Sequence, residues 1–287
     1  SNGSTLMTQI YASMVKCKLW STCSYAAPPE AVVTTAVTNM GHVAMPASHS
    51  LAFPDPLFVS LVFGISVALM SYCTWPLSGG HLNPAVTLSM LVAMKVRPSW
   101  ALCYILAQLL GAITTSALLY GLTPEHSLGE MGINKVRVTS LQALAIEMIV
   151  SFQYILCILS TSENRRDPSK CGHLIIGLSV TLGHLIGYTG CGMNPARSLG
   201  PALITFVFTN HWVFWVGPLA GGLAAAILNE WVLFPKCSGF RQWLTMLQEK
   251  LQEDRNSQAT AENLPGFTAF EEESSTKHWL LTQIVKG

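Results

Sequence analysis

The chain has 287 residues, of which 50% are hydrophobic and only 11% charged, and its net charge is +1. Soluble domains carry about 25% charged residues, so charge this sparse excludes an ordinary soluble domain. The near-neutral balance excludes a partner chosen by bulk charge, nucleic acid included.

Mean hydropathy is +0.41, and many of the charges lie after Lys236 while 57–234 holds few. That pattern predicts an all-α, polytopic membrane body with a polar tail. None of the eight cysteines is spaced as in a zinc or redox motif. Cys73, Cys103 and Cys157 fall in apolar segments and are expected to be free, buried thiols.

Residues 1–56 form an atypical N-terminal region. Ala31–Phe53 lacks Asp, Glu, Lys and Arg, but Asn39, Gly41 and Pro46 interrupt it, which makes it a weak, degenerate first span. Leu57–Trp75 is a good spanning helix, closed by Trp75-Pro76. A polar loop, Gly79–Thr87, leads into a short helix at 85–94 that only half crosses. Ser99–Leu122 spans with Gln108 inside, and Leu141–Thr161 spans with Glu147 inside. Gly172–Tyr188 is a shorter span containing His184. A second polar loop leads into another half-crossing helix, 196–206. His211–Phe234 is the last span, with the small-residue run Gly221–Ala226, which suits close helix contact in lipid.

Clusters of positive charge orient the chain. Lys95 and Arg97, then Arg165, Arg166 and Lys170, then Lys236 and Arg241 mark cytoplasmic segments. The C-terminus is therefore expected inside. Lys16 and Lys18 would place the N-terminus inside too, which needs a crossing within 19–56, and Ala31–Phe53 is the charge-poor candidate. Residues 235–287 read as a cytoplasmic tail. Within it, Trp243, Leu247 and Leu251 recur at helical spacing, predicting an amphipathic helix at 240–251. That helix is expected to lie on the bilayer or on its own body, with a cytoplasmic partner as the alternative.

The two polar loops repeat one another. Gly-Gly-His-Leu-Asn-Pro-Ala-Val-Thr at 79–87 and Gly-Cys-Gly-Met-Asn-Pro-Ala-Arg-Ser at 190–198 share Asn-Pro-Ala. One such tripeptide arises by chance about once in twenty chains of this size. Two in corresponding halves, each between apolar runs, signal an inverted repeat with two half-helices. Pro84 and Pro195 suit a first helical turn, whose N–H groups have no intrahelical partner. Asn83 and Asn194 then become N-caps at the positive ends of the half-helix dipoles. If the half-helices enter from opposite faces, those ends meet at mid-membrane. The amides can donate to a water oxygen there, while the dipoles repel cations and hinder proton relay. Irregular backbone at that depth is tolerated where it lines a watery cavity.

The region 57–234 resembles an orthodox, water-selective animal aquaporin. The two loops carry the resemblance, together with Asn210–Pro218 at the start of the last span. It implies a right-handed bundle of six spans and two half-helices, a pore in each monomer, and a homotetramer in the lipid bilayer. The expected address is the cell membrane, or an intracellular vesicle membrane, as a multi-pass protein. The pore motifs would be Asn83, Pro84, Ala85, Asn194, Pro195 and Ala196.

The implied selectivity filter is Phe63, His184, Cys191 and Arg197. Bulky Phe63 and His184 would narrow the bore below glycerol width, and Arg197 would offer donors and repel cations. Ser198, Ala202, Phe214 and Trp215 match the water-selective type. Cys191 resembles the mercurial-sensitive cysteine of the family. Glu147 resembles the glutamate that braces the second loop, and His81 and Gln108 are placed with it as structural support.

Three departures stand beside the likeness. The family's first helix with its own glutamate has no convincing match before residue 57, where Glu30 lies beside prolines. Trp75-Pro76-Leu77 replaces a more regular approach to the first loop. The segment after His184 is about two residues short, which is expected to shift or rotate His184 relative to Arg197.

The function expected is passive water permeation down an osmotic gradient. No nucleophile–base set and no metal-ligand cluster is visible, so neither catalysis nor a cofactor is expected. The alternatives are a weakly conducting structural or junctional membrane protein of the same fold, or a defective splice or gene-model product. A glycerol, ammonia or anion channel is disfavoured by Phe63, His184 and Ser198.

Overall fold

A computed structural model describes residues 56–122, 132–162, 171–234 and 240–262. The expected first span at 31–53 lies outside the described residues. The chain divides into two units, residues 27–243 and residues 1–26 with 244–287.

Among the described residues of the first unit the regular secondary structure is helical. Its elements are α1 (Pro56–Ser78), α2 (Pro84–Val92), α3 (Pro98–Leu122), α4 (Ser140–Thr161), α5 (Gly172–Ile186), α6 (Pro195–Thr205) and α7 (Val213–Ile227). A π-helical turn, Leu228–Leu233, continues α7. Among the described residues, four helices are long and apolar enough to cross a membrane: 56–76, 98–122, 140–161 and 213–233. Helix α5 is apolar but only 15 residues long.

A short helix after a polar loop, set between two longer ones, occurs twice, as α1–α2–α3 and α5–α6–α7, with α5 the shortest of the flanking helices once the π-helical turn extends α7. The packing is reciprocal. Short helix α2 lies against α7 and α3, short helix α6 lies against α3, α1 pairs with α5, and α4 pairs with α7.

Glycines make these pairings close. A Cβ built on Gly64 of α1 would lie 2.5 Å from the Gly177 carbonyl oxygen of α5, and one on Gly177 would lie 2.5 Å from the Gly64 oxygen. On α7, a Cβ at Gly221 would lie 2.2 Å from the Met148 oxygen of α4. These are backbone-on-backbone approaches that only a residue without a side chain permits.

The outward faces are apolar. Leu102, Leu106 and Leu110 stand exposed at four-residue spacing along α3, as do Leu174, Leu178 and Leu182 along α5. Rows of exposed leucine on helices this apolar suit lipid rather than water. Polar side chains turn inward: Gln108, Glu147, Ser151 and Arg197 are all buried.

Several sequence-based boundaries move. Helix α1 does not close at Pro76 but runs to Ser78. Pro76 leaves one intrahelical bond unmade, but the helix runs only two residues beyond it before Gly79 and Gly80, both at positive φ, end it. Helix α5 stops at Ile186 rather than Tyr188 because Gly187 adopts the left-handed conformation as its cap. Cys73 is exposed rather than buried, while Cys103 and Cys157 are half-buried, and all three are free thiols.

Helix α4 opens on a capping box. The Thr139 hydroxyl accepts from the Gln142 N–H, and the Gln142 carboxamide oxygen accepts from the Thr139 N–H. Thr139→Ala should lower stability by about 1 kcal/mol, read as a lower unfolding midpoint of the detergent-solubilised protein.

Helix α8 (Phe240–Glu262) is 23 residues long, about twice the expected 240–251. The residues past 251 are strongly polar, so apolar periodicity could not reveal them. Leu251 is 39% exposed, so the stripe expected through Trp243, Leu247 and Leu251 stops before its last member.

Candidate functional site

Each short helix begins in the same way. Asn83 and Asn194 are extended N-caps followed by proline at the first helical position. The Asn83 Oδ1 accepts from the Ala85 N–H at 2.8 Å. The Asn194 Oδ1 accepts from the Ala196 N–H at 3.0 Å and the Arg197 N–H at 3.3 Å. This satisfies donors that a helix start leaves bare.

The amide nitrogens reach across the repeat. Asn83 Nδ2 donates to the Met193 carbonyl oxygen at 2.9 Å, and Asn194 Nδ2 donates to the Leu82 carbonyl oxygen at 2.9 Å. Leu82 and Met193, each just before its asparagine, have φ of 55° and 51°. Left-handed backbone at a non-glycine residue is costly, by about 1–3 kcal/mol. Here it accompanies a carbonyl bonded to the opposite amide. The two helix starts therefore meet, and each carboxamide keeps one N–H beyond these bonds.

The loops are held from behind. Glu147 of α4 is fully buried. Its two carboxylate oxygens accept from the Gly192 N–H at 2.8 Å and the Met193 N–H at 2.9 Å. Behind the first loop, Gln108 Nε2 donates to the Thr87 Oγ at 2.9 Å. The Thr87 hydroxyl donates to the Asn83 carbonyl oxygen at 3.1 Å. His81 Nδ1 lies 3.2 Å from the same oxygen, Thr87 Oγ. With the hydroxyl proton used on Asn83, that contact makes His81 Nδ1 the donor. Thr87 thus links His81 and Gln108, a connection their sequence spacing did not reveal.

Phe63, His184, Cys191 and Arg197 come from α1, α5, the second loop and α6. The rings of Phe63 and His184 stack, with centroids 4.0 Å apart and planes 22° apart. The Arg197 guanidinium lies 5.5 Å from the centre of the Phe63 ring. The shortened segment after His184 does not separate these groups. His184 Nδ1 bonds the Val180 carbonyl oxygen at 2.9 Å. A carbonyl only accepts, so Nδ1 carries the proton. Nε2 of the neutral ring is then an acceptor, and it has no partner among the described residues.

Cys191 is 2% exposed, at φ 51°. Arg197 is 6% exposed, and its Nη1 donates to the Gly132 carbonyl oxygen at 2.6 Å and to Asn134 Oδ1 at 2.8 Å. Its Nε has no partner among the described residues. Gly132 and Asn134 were unremarkable in the sequence, being two residues of an ordinary polar loop with no motif around them.

A bundle with lipid-suited faces, an inverted repeat, and two half-helices meeting at capped asparagines defines a multi-pass membrane protein of the channel-forming kind. The profile of the major intrinsic protein family matches residues 29–229, and the chain belongs to that family. It is 43% identical to aquaporin-5 of Ovis aries over 217 residues, 74% of this chain and 82% of that protein. It is 48% identical to aquaporin FA-CHIP of Pelophylax lessonae over 189 residues, 64% of this chain and 70% of that one. Among solved structures, the aquaglyceroporin from Plasmodium falciparum superposes with a TM-score of 0.61 at 24% identity, covering 71% of this chain and 95% of that one. At that identity the likeness speaks for the fold alone.

Proposed function

We propose that the chain conducts water passively, through a pore in each monomer between the meeting half-helices. The observation that carries this is the reciprocal asparagine pairing. Both carboxamides are fixed by their oxygens and by one N–H each. The remaining N–H of each is offered, at the positive end of a helix dipole, to the oxygen of a passing water. His184 Nε2 and Arg197 Nε, both without a partner among the described residues, would serve the same water at the next narrowing. Phe63 and His184 take up the room that a glycerol carbon chain would need.

Domain 57–234 carries this activity, in a homotetramer in the cell membrane or a vesicle membrane. The tail from 235 is cytoplasmic, by the distribution of Lys and Arg. Glu147, Gln108 and His81 hold the two loops and do not touch the permeant.

The test is swelling and shrinkage of vesicles containing the purified protein, under water and then glycerol gradients. Water permeability well above that of empty vesicles, with glycerol permeability near theirs, is expected. A second reading has its own support. The rings of Phe63 and His184 stack at 4.0 Å and the Cys191 thiol is almost wholly buried, which suits a tight or closed constriction in a structural, junctional protein. Water permeability equal to that of empty vesicles would select that reading.

Cys191→Ser should abolish inhibition of water flow by a mercurial while leaving most of the flow intact. Undiminished inhibition in this variant would place the sensitive thiol elsewhere.

A further inference from the structure

Segment 132–137 crosses the loop that leads into the second Asn-Pro-Ala motif. Its Arg137 N–H donates to the Tyr188 carbonyl oxygen at 3.0 Å. Asn134, 8% exposed, uses both ends of its carboxamide. Its Oδ1 accepts from Arg197 Nη1 at 2.8 Å, and its Nδ2 donates to the Gly190 carbonyl oxygen at 2.8 Å. A guanidinium can only donate and a carbonyl can only accept, so the amide has a single orientation here. The approach is close. Gly190 has φ +73°, and a Cβ there would lie 3.3 Å from the Lys135 nitrogen and 3.4 Å from the Asn134 Cα. A second acceptor from the same segment, the Gly132 carbonyl oxygen, lies 2.6 Å from Arg197 Nη1.

Among the described residues, the acceptors on Arg197 are thus two neutral oxygens from one segment. That segment is fixed in turn to the backbone beside Cys191. We infer that Asn134 is the positioning residue that sets the spacing between the Arg197 guanidinium and the Gly190–Cys191 backbone. Through that spacing it determines which solutes pass. A planar amide has a fixed separation between its oxygen and nitrogen, so it works as a spacer rather than a flexible tether. Because the Arg197 bond is charge-assisted, its loss costs more than that of a neutral pair. Held by the Gly132 carbonyl alone, the guanidinium would take other rotamers and widen the constriction. This inference rests on Arg197 lying at the constriction of a conducting pore.

Two variants separate the two bonds. Asn134→Ala removes both. Asn134→Asp keeps an oxygen for Arg197 and replaces the donor to Gly190 with a second oxygen. The first readout is the ratio of glycerol to water permeability in vesicles of the full-length protein. Asn134→Ala should raise it roughly tenfold, and Asn134→Asp should raise it by less, because Arg197 remains held while the bond that fixes its spacing to Gly190 is lost. A residue that merely supports the fold would lower both permeabilities together and leave the ratio unchanged, which overturns the inference.

The second readout needs no conduction. In hydrogen exchange, backbone amides at 188–192 should exchange faster in Asn134→Ala than in wild type, while those of α4 stay equally protected. Equal protection at 188–192 overturns the inference by itself. A wild-type protein without water permeability rejects the channel reading, and the exchange experiment still decides the positioning role.

Discussion

Glu147→Ala should destabilise the protein severely and abolish water permeation at equal amounts of protein in the membrane. Glu147 is fully buried, and its two oxygens are the acceptors for the N–H groups of Gly192 and Met193. Alanine leaves both N–H groups inside without an acceptor, at about 1–3 kcal/mol each, so about 2–6 kcal/mol together. Alanine keeps the Cβ that faces α7, where a Cβ on Gly217 would lie 2.5 Å from it, so the loss falls on the carboxylate. Met193 supplies the carbonyl that holds Asn83, so loss of the brace reaches the first loop as well.

Glu147→Gln separates charge from geometry. The amide keeps one acceptor but turns an NH2 group toward a backbone N–H, so one of the two bonds must go. About half of the alanine effect on stability is expected, with a clear fall in permeability. Thermal unfolding in detergent and vesicle swelling measure the two effects. A glutamine variant as stable and as permeable as wild type would show that the carboxylate is not the brace.

Gly221→Leu should prevent assembly of the bundle altogether. Any Cβ at that position lies 2.2 Å from the Met148 oxygen, and 3.0 Å from both the Met148 carbonyl carbon and the Phe152 nitrogen. All three are backbone atoms of α4, so no rotamer change relieves the clash. Helices α4 and α7 would have to separate, and the effect should exceed the roughly 1–3 kcal/mol of ordinary overpacking. Gly177→Leu should do the same to the α1–α5 pair, where the obstacle is the Gly64 oxygen at 2.5 Å.

Gly121, near the end of α3, has nothing among the described residues within 4 Å of its would-be Cβ. Gly121→Ala should be neutral or stabilising, by about 0.5–1 kcal/mol. Gel filtration and unfolding midpoints of the three variants side by side would show whether close approach, rather than glycine content, decides. Monodisperse Gly221→Leu protein with a native midpoint would contradict the crossing described here.

The gross plan was legible because lipid imposes one strong rule on sequence: long apolar runs, with polar residues only where something meets them. Leu57, Ser99, Leu141 and His211 each lie within about two residues of an observed helix start. The repeated Asn-Pro-Ala located both short helices because proline after an N-cap asparagine has little other use inside an apolar region. Arg197 stood out by its cost in lipid.

What stayed hidden was set by tertiary geometry. No local signal marks Leu82 and Met193 as left-handed, since both are ordinary apolar residues whose backbone is held by amides in the other half of the chain. Asn134 is one of several polar residues in a loop and matters only through what lies beneath it. Pro76 misled because its effect depends on whether it falls in mid-helix or in a last turn.

The bonds from Asn83 and Asn194 join residues 110 and 112 positions apart. During synthesis the first short helix therefore reaches the membrane with its amide partner still unmade. Its final seating must await the arrival of Met193, so closure of the centre belongs to the end of biogenesis. A nascent chain halted before that point would hold an open, hydratable half. Quality-control machinery that senses polar groups in lipid could recognise it.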